Sequence, residues 1–155
     1  MSAFWDWAVK AYGRPGVAEA CLSLQDFHEQ NVPLLLWSAW AAVEGRRPDE
    51  ETIEAACDAA RAYDRVITTP LRAMRRTLKA PVPDIDDEAR QALRVQVKAL
   101  ELDAERRLMV ELEGLAPAPS GGPRPVLDGL VSTARLWDRV TPRPALSTLA
   151  ERLSA

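Results

Sequence analysis

Residues 32–43 read VPLLLWSAWAAV, an apolar run interrupted only by Pro33 and Ser38. Twelve such residues are too few to span a bilayer, which takes about 20. They are also too apolar on every side for a surface helix. The run must therefore be buried on all faces, as a central helix around which the rest of the chain is arranged. Immediately before it lie Gln25, Asp26, His28 and Asn31, a polar cluster whose groups must find partners or line a site if they share in that burial.

The remaining pattern is helical throughout. Ala3 to Tyr12 carries Phe4, Trp7, Ala8 and Ala11 at i, i+3, i+4, i+7 spacing. Gly13-Arg14-Pro15-Gly16 is a turn. Val17 to His28 forms a second helix with Val17, Ala20, Cys21, Leu24 and Phe27 inward. Asn31 is placed to cap the buried helix, with Pro33 tolerated in its first turn and Gly45 near its end. Asp49 caps a fourth helix with an acidic first turn and an apolar face through Ile53, Ala56, Cys57, Ala60, Tyr63 and Ile67. At Thr69-Pro70 the pattern predicts a kink or tight break, since Leu71, Met74 and Leu78 continue the stripe.

After the Ala80–Pro83 connector, Asp84 to Glu113 reads as a long helix with Leu93, Val97, Leu100, Ala104, Leu108 and Leu112 on one side. The reading is thus all-α: a single bundle of about five helices over residues 1–115. Residues 116–125 form a Pro/Gly-rich, flexible or extended linker. Residues 126–155 make an amphipathic helical tail that either folds back or engages a partner. At 155 residues and 47% hydrophobic content the chain has enough material for one core.

A net charge of −3 gives no general case for nucleic acid or an anionic membrane. Cys21 and Cys57 stand apart, and the chain has one histidine, so a Cys/His zinc site is not expected and no cofactor is implied. Two helix-borne cysteines read as small buried hydrophobes in a reducing, cytoplasmic setting. No basic, apolar leader opens the sequence.

The segments Phe4-Trp5-x-Trp7, Tyr12, Pro15-Gly16-Val17, Cys21-Leu22-x-Leu24-Gln25-Asp26, Asn31-Val32 and Leu34-Leu35-Leu36-Trp37 form one pattern. Pro70-Leu71-Arg72-x-x-Arg75-Arg76-x-Leu78-Lys79 and Glu101-x-x-x-Glu105-Arg106 continue it. Together they resemble an uncharacterised, mainly proteobacterial family with a domain of unknown function. The resemblance covers residues 3–115. It implies a compact helical domain and supplies no catalytic residues. One departure is Glu29, where the family pattern leads to glycine and a Gly-dependent turn would be lost.

Three constellations carry chemistry. The first is Gln25, Asp26, His28 and Asn31, read either as a polar pocket or as helix-end caps. Asp26 and His28 diverge by about 200° on a helix and do not pair as an acid/base couple. The second is the basic set Arg65, Arg72, Arg75, Arg76 and Lys79. Its last four members share one helix face, able to bind an anion or an acidic partner. The alternative is internal pairing with Glu101, Asp103 and Glu105. The third, Asp84, Asp86, Asp87 and Glu88 with Glu101 and Glu105, is similar to the magnesium-binding carboxylates of helical isoprenoid synthases. Helix-dipole complementarity explains the first half, and a paired aspartate-rich motif is missing, so no metal is expected. With no nucleophile–base pair and no phosphate loop, the sequence favours a non-catalytic protein-interaction module with an unidentified protein partner. Its contact surfaces would be the basic face, Trp5 and its neighbours, and the tail. The competing expectation is a ligand-binding or enzymatic bundle joining the Gln25–Asn31 pocket to Arg72 and Arg75.

Overall fold

Polar caps and glycines set where the helices begin and end. In the computed structural model, which describes residues 2–154, α1 (Ala3–Tyr12) starts at Ser2, whose hydroxyl accepts from the Trp5 N–H. Gly16, at φ +81°, opens α2 (Val17–His28). Asn31 caps α3 (Val32–Val43) by accepting from the Leu34 N–H at 2.9 Å, and Gly45 beyond it adopts φ +69°. Asp49 caps α4 (Glu50–Tyr63) through the Thr52 N–H at 2.8 Å.

The backbone stays helical beyond Tyr63. It continues through a π-helical turn (Asp64–Thr68) into α5 (Thr69–Thr77). Pro70 supplies the physical reason, because it lacks an N–H and its ring crowds the carbonyl four residues earlier. Widening the turn, so that the Thr69 N–H donates to the Asp64 carbonyl five residues back, relieves both problems. The break expected at Thr69-Pro70 thus takes the form of a widened turn that divides one predicted helix into two.

Asp86 caps α6 (Asp87–Leu115) by accepting from the Ala89 N–H at 2.9 Å, so this helix begins after Asp84 rather than at it. Asp84 lies outside it at φ +66°. α7 (Val126–Trp137) and α8 (Arg143–Ser154) complete the chain. The described residues therefore hold eight α-helices and the π turn, more than the bundle of about five expected. No strand forms among them, only an isolated bridge between Arg46 and Pro119.

Ten of the twelve residues of α3 are buried, Trp37 and Trp40 almost completely. The Trp40 ring lies 5.2 Å from that of Phe4, within the range where aromatic pairs attract. Against α3 runs α7, close enough that a Cβ on Gly129 would come within 3.0 Å of the Ser38 carbonyl oxygen. At that crossing the buried Ser38 and Thr133 hydroxyls hydrogen-bond at 2.5 Å. Leu130, Leu146, Leu149 and Leu153 belong to the same core as Trp37, so the C-terminal helices pack into the bundle.

The connecting segment is extended and is tied to the end of α3 by hydrogen bonds. Its Ser120 and Arg124 N–H groups donate to the Gly45 and Ala42 carbonyls, and Arg46 donates to the Pro117 carbonyl. At its far end α8 meets the α1–α2 turn, where Arg152 donates to the Gly16 carbonyl at 3.2 Å and Arg14 to that of Leu153.

Some predicted inward faces are not inward. Phe27 is 80% exposed, and Leu93 and Leu100 are each about half exposed. α6, at 29 residues, is more than twice the length of α5 (9) or α7 (12), and apart from Arg90 its buried residues all lie from Glu101 onward. An apolar stripe needs a neighbour to cover it, and the first half of α6 outruns the core.

Candidate functional site

Beside the π turn lies a cavity of about 270 Å³. Gln30 and Asn31 reach it from the α2–α3 turn, Asp64 and Thr68 from the π turn, Arg72 from α5 and Glu105 from α6. The π register brings Asp64 and Thr68 together: the Thr68 hydroxyl donates to Asp64 Oδ1 at 2.8 Å, and Asn31 Nδ2 donates to the same oxygen at 3.1 Å. Asn31 thus serves twice, with its oxygen capping α3 and its amide nitrogen holding Asp64. Across the cavity Arg72 donates to Gln25 Oε1 at 3.4 Å, a long bond.

Two acceptors in these walls are unspent. Gln30 is 4% exposed; its Nε2 donates to the His28 carbonyl at 3.0 Å, and its Oε1 has no donor. The His28 carbonyl fixes the amide orientation, since turning it would set oxygen against oxygen. Glu105 is half-buried. Burial raises its carboxyl pKa; Arg72 opposes the shift, Glu101 and Asp64 add to it, and Arg75 again opposes.

A second cavity, of about 480 Å³, shares Gln25, Val32, Pro33 and Glu105 with the first. Its other walls are largely apolar, including Trp5 and Tyr12 from α1, Leu36 from α3 and Met109 from α6. Trp5, off the Phe4/Trp7 stripe, therefore lines this groove, with the Arg106 guanidinium 5.1 Å from its ring. The two cavities thus adjoin along Gln25, Val32, Pro33 and Glu105, as the polar and apolar ends of a cleft.

Of the residues singled out in the sequence, Gln25, Asn31 and Arg72 meet in this cleft. Asp26 does not; it lies 3.7 Å from Arg76 and accepts from Gln25 Nε2 at 3.3 Å. Capping is not the role of Gln25 or Asp26, because α2 ends on Glu29. His28 is exposed, and only its carbonyl is engaged in the turn.

Arg75 pairs with the largely buried Glu101 at 2.5 Å. The wider internal pairing expected of the basic face is not found: Asp103 binds Arg107 at 2.9 Å, and Glu105 has no ion pair among the described residues. Arg65 and Lys79 are exposed and likewise unpaired among the described residues. Of the acidic run, Asp86 caps α6 and Asp87 lies 3.6 Å from Arg90, while Asp84 and Glu88 are exposed. No three His, Cys, Asp or Glu side chains converge on a metal-sized site among the described residues.

Glu29 adopts φ +52°, so the tight turn forms with a side chain in place of the glycine expected there. Trp137 Nε1 braces it by donating to the Glu29 carbonyl at 2.9 Å. Cys21 and Cys57 are free and buried, and burial pushes their thiols up to about 12 and about 11.

Sequence reasoning missed Gln30, Asp64 and Thr68, and it treated Glu105 as a partner for arginine or a member of a magnesium-like carboxylate set, not as part of this cleft. Gln30 carries no local signal beyond standing next to a capping Asn. Asp64 and Thr68 had one: they lie just ahead of Pro70 in an unbroken helical stripe, where a widened turn is the way to continue.

The profile of a protein family of unknown function, DUF2390, matches residues 3–112. The chain belongs to this family. Every cleft residue named above falls inside the DUF2390 segment, whereas α7 and α8 lie beyond it. No curated protein and no solved structure matches the chain. None of the helices among the described residues is long and apolar enough to cross a membrane.

Proposed function

We propose that this DUF2390 protein binds a small ligand in the two-ended cleft between α1, α2, α3, the π turn and α6. Gln30 carries the reading: a buried carbonyl oxygen without a donor is costly, and a ligand that supplies the donor removes that cost. A concave, mostly apolar groove opening onto a few fixed polar groups is the usual form of a small-molecule site. The interaction reading keeps the exposed Arg65, Arg76 and Lys79 but has less support from its other surfaces. Arg72, Arg75 and Arg76 are turned toward Gln25, Glu101 and Asp26, and the apolar side of the tail is spent in the core.

A fragment library screened against the ¹⁵N-labelled protein tests the proposal. The expected hits perturb the amides of Gln30, Asn31, Thr68, Arg72 and Glu105 together. Hits confined to other faces, or none at millimolar concentration, would overturn it.

A further inference from the structure

The cleft's unspent groups specify what kind of ligand it takes. Four ionisable residues line the polar cavity: the part-buried Asp64, Arg72 and Glu105, and the exposed Glu29 at its rim. Opposite charges attract most strongly where water is partly excluded, so two part-buried carboxylates to one guanidinium favour a cation there. Hydrogen-bond capacity points the same way. Gln30 Oε1 is buried without a donor. Asp64 Oδ1 is filled by Thr68 and Asn31, which holds that carboxylate rigidly against the cavity. Glu105 accepts no hydrogen bond from the protein, and burial holds its carboxyl pKa up, as an approaching cation would reverse. Arg72 donates to Gln25 and makes no hydrogen bond to Gln30 Oε1 or Glu105, although its charge acts on the Glu105 carboxyl. Arg72 is the one cationic donor among these lining residues; the other unspent groups, Gln30 Oε1 and Glu105, are acceptors.

Beyond Glu105 the cleft changes character. Trp5, Tyr12, Leu36 and Met109 offer apolar surface continuous with the same carboxylate. A molecule filling both ends has a donor-rich, positively charged head and an apolar body.

We infer that the ligand is a protonated amine bearing an alkyl or aryl body, its ammonium held between Gln30 Oε1 and Glu105 and its body in the Trp5–Met109 groove. This rests on the cleft being a ligand site. It adds that the sign of the head group decides recognition. An ammonium brings three donors and no acceptor, which suits this set of walls. A carboxylate or phosphate head would meet the Asp64 and Glu105 carboxylates and an orphaned carbonyl oxygen, with Arg72 alone to attract it.

Hexylamine, 1-hexanol and hexanoate share one chain and differ only at the head, so they serve as probes, titrated into the full chain and followed by ¹H–¹⁵N spectra. The expected result is amine binding at the cleft amides with a dissociation constant at least about tenfold below that of the alcohol, and hexanoate weakest, as a charge-assisted hydrogen bond implies. Glu105→Gln should weaken hexylamine about tenfold and hexanol by much less, so that the amine-over-alcohol ratio falls severalfold. Gln30→Met removes the orphaned oxygen without touching a charge, and it should lower the amine-over-alcohol ratio severalfold. Hexanol or hexanoate binding the cleft as tightly as the amine would overturn the amine assignment while leaving the cleft as a site. If all three left the cleft amides unmoved, both the assignment and the ligand site would fall. An amine preference unchanged in both variants would overturn the assigned head-group position.

Discussion

An L-residue in the left-handed region costs about 1–2 kcal/mol because its Cβ crowds the following carbonyl oxygen. Glu29 bears that cost at φ +52°, one residue before Gln30 enters the cleft. Glu29→Gly should therefore stabilise the fold by about 0.5–1 kcal/mol, the relief being partly offset by the freer unfolded chain. The urea midpoint should rise with an unchanged slope; a fall would mean that the glutamate side chain contributes more than its strain costs. Glu105 makes a second prediction at this scale. Its raised pKa means that the folded state holds the proton more tightly than the unfolded chain, whose ordinary value is 4.5. Stability from this group is therefore greatest below that value and declines as pH rises through the folded pKa. Glu105→Gln should raise Tm relative to wild type at pH 7, with the difference vanishing near pH 4. An equal shift at both pH values would trace the effect to something other than the charge.

At the scale of elements, the basic face of α5 divides into members that differ sharply in burial. Arg75 shields a Glu101 side chain that is only 10% exposed, whereas Arg76 is 63% exposed and 3.7 Å from Asp26. Arg75→Ala strands a nearly buried carboxylate and should cost about 2–4 kcal/mol, against at most about 0.5 kcal/mol for Arg76→Ala. Chemical denaturation of the two variants side by side checks the contrast, and equal losses would refute it. The same helix shows what was legible beforehand. Starts at Asn31 and Asp49 could be read because a cap and its N–H partner lie within three residues of each other. Spacing also put Arg72, Arg75 and Arg76 on one face. It left open which of Gln25, Asp26, Glu101 and Glu105 each would meet, because those partners come from α2 and α6. The exposure of Phe27, Leu93 and Leu100 was hidden for the same reason: periodicity marks an apolar side but does not supply the neighbour that covers it.

For the molecule as a whole, the family segment and the folding unit have different limits. DUF2390 similarity ends at residue 112, yet Leu130, Leu146, Leu149 and Leu153 are buried with Trp37. Each such leucine contributes about 1.5–3 kcal/mol, and together they rival the 5–15 kcal/mol that holds a typical domain folded. Residues 1–115 alone should accordingly keep helical circular dichroism while binding a hydrophobic dye and melting without a sharp transition. A cooperative melt near that of the full chain would show that α7 and α8 are dispensable. The Ser38–Thr133 bond joins residues 95 apart in sequence. On a ribosome adding about 5–20 residues each second, α3 is made roughly 5–20 s before the helix that closes over it. For that interval the most apolar helix of the chain has an open side, and the newborn protein depends on whatever shelters nascent chains until α7 arrives.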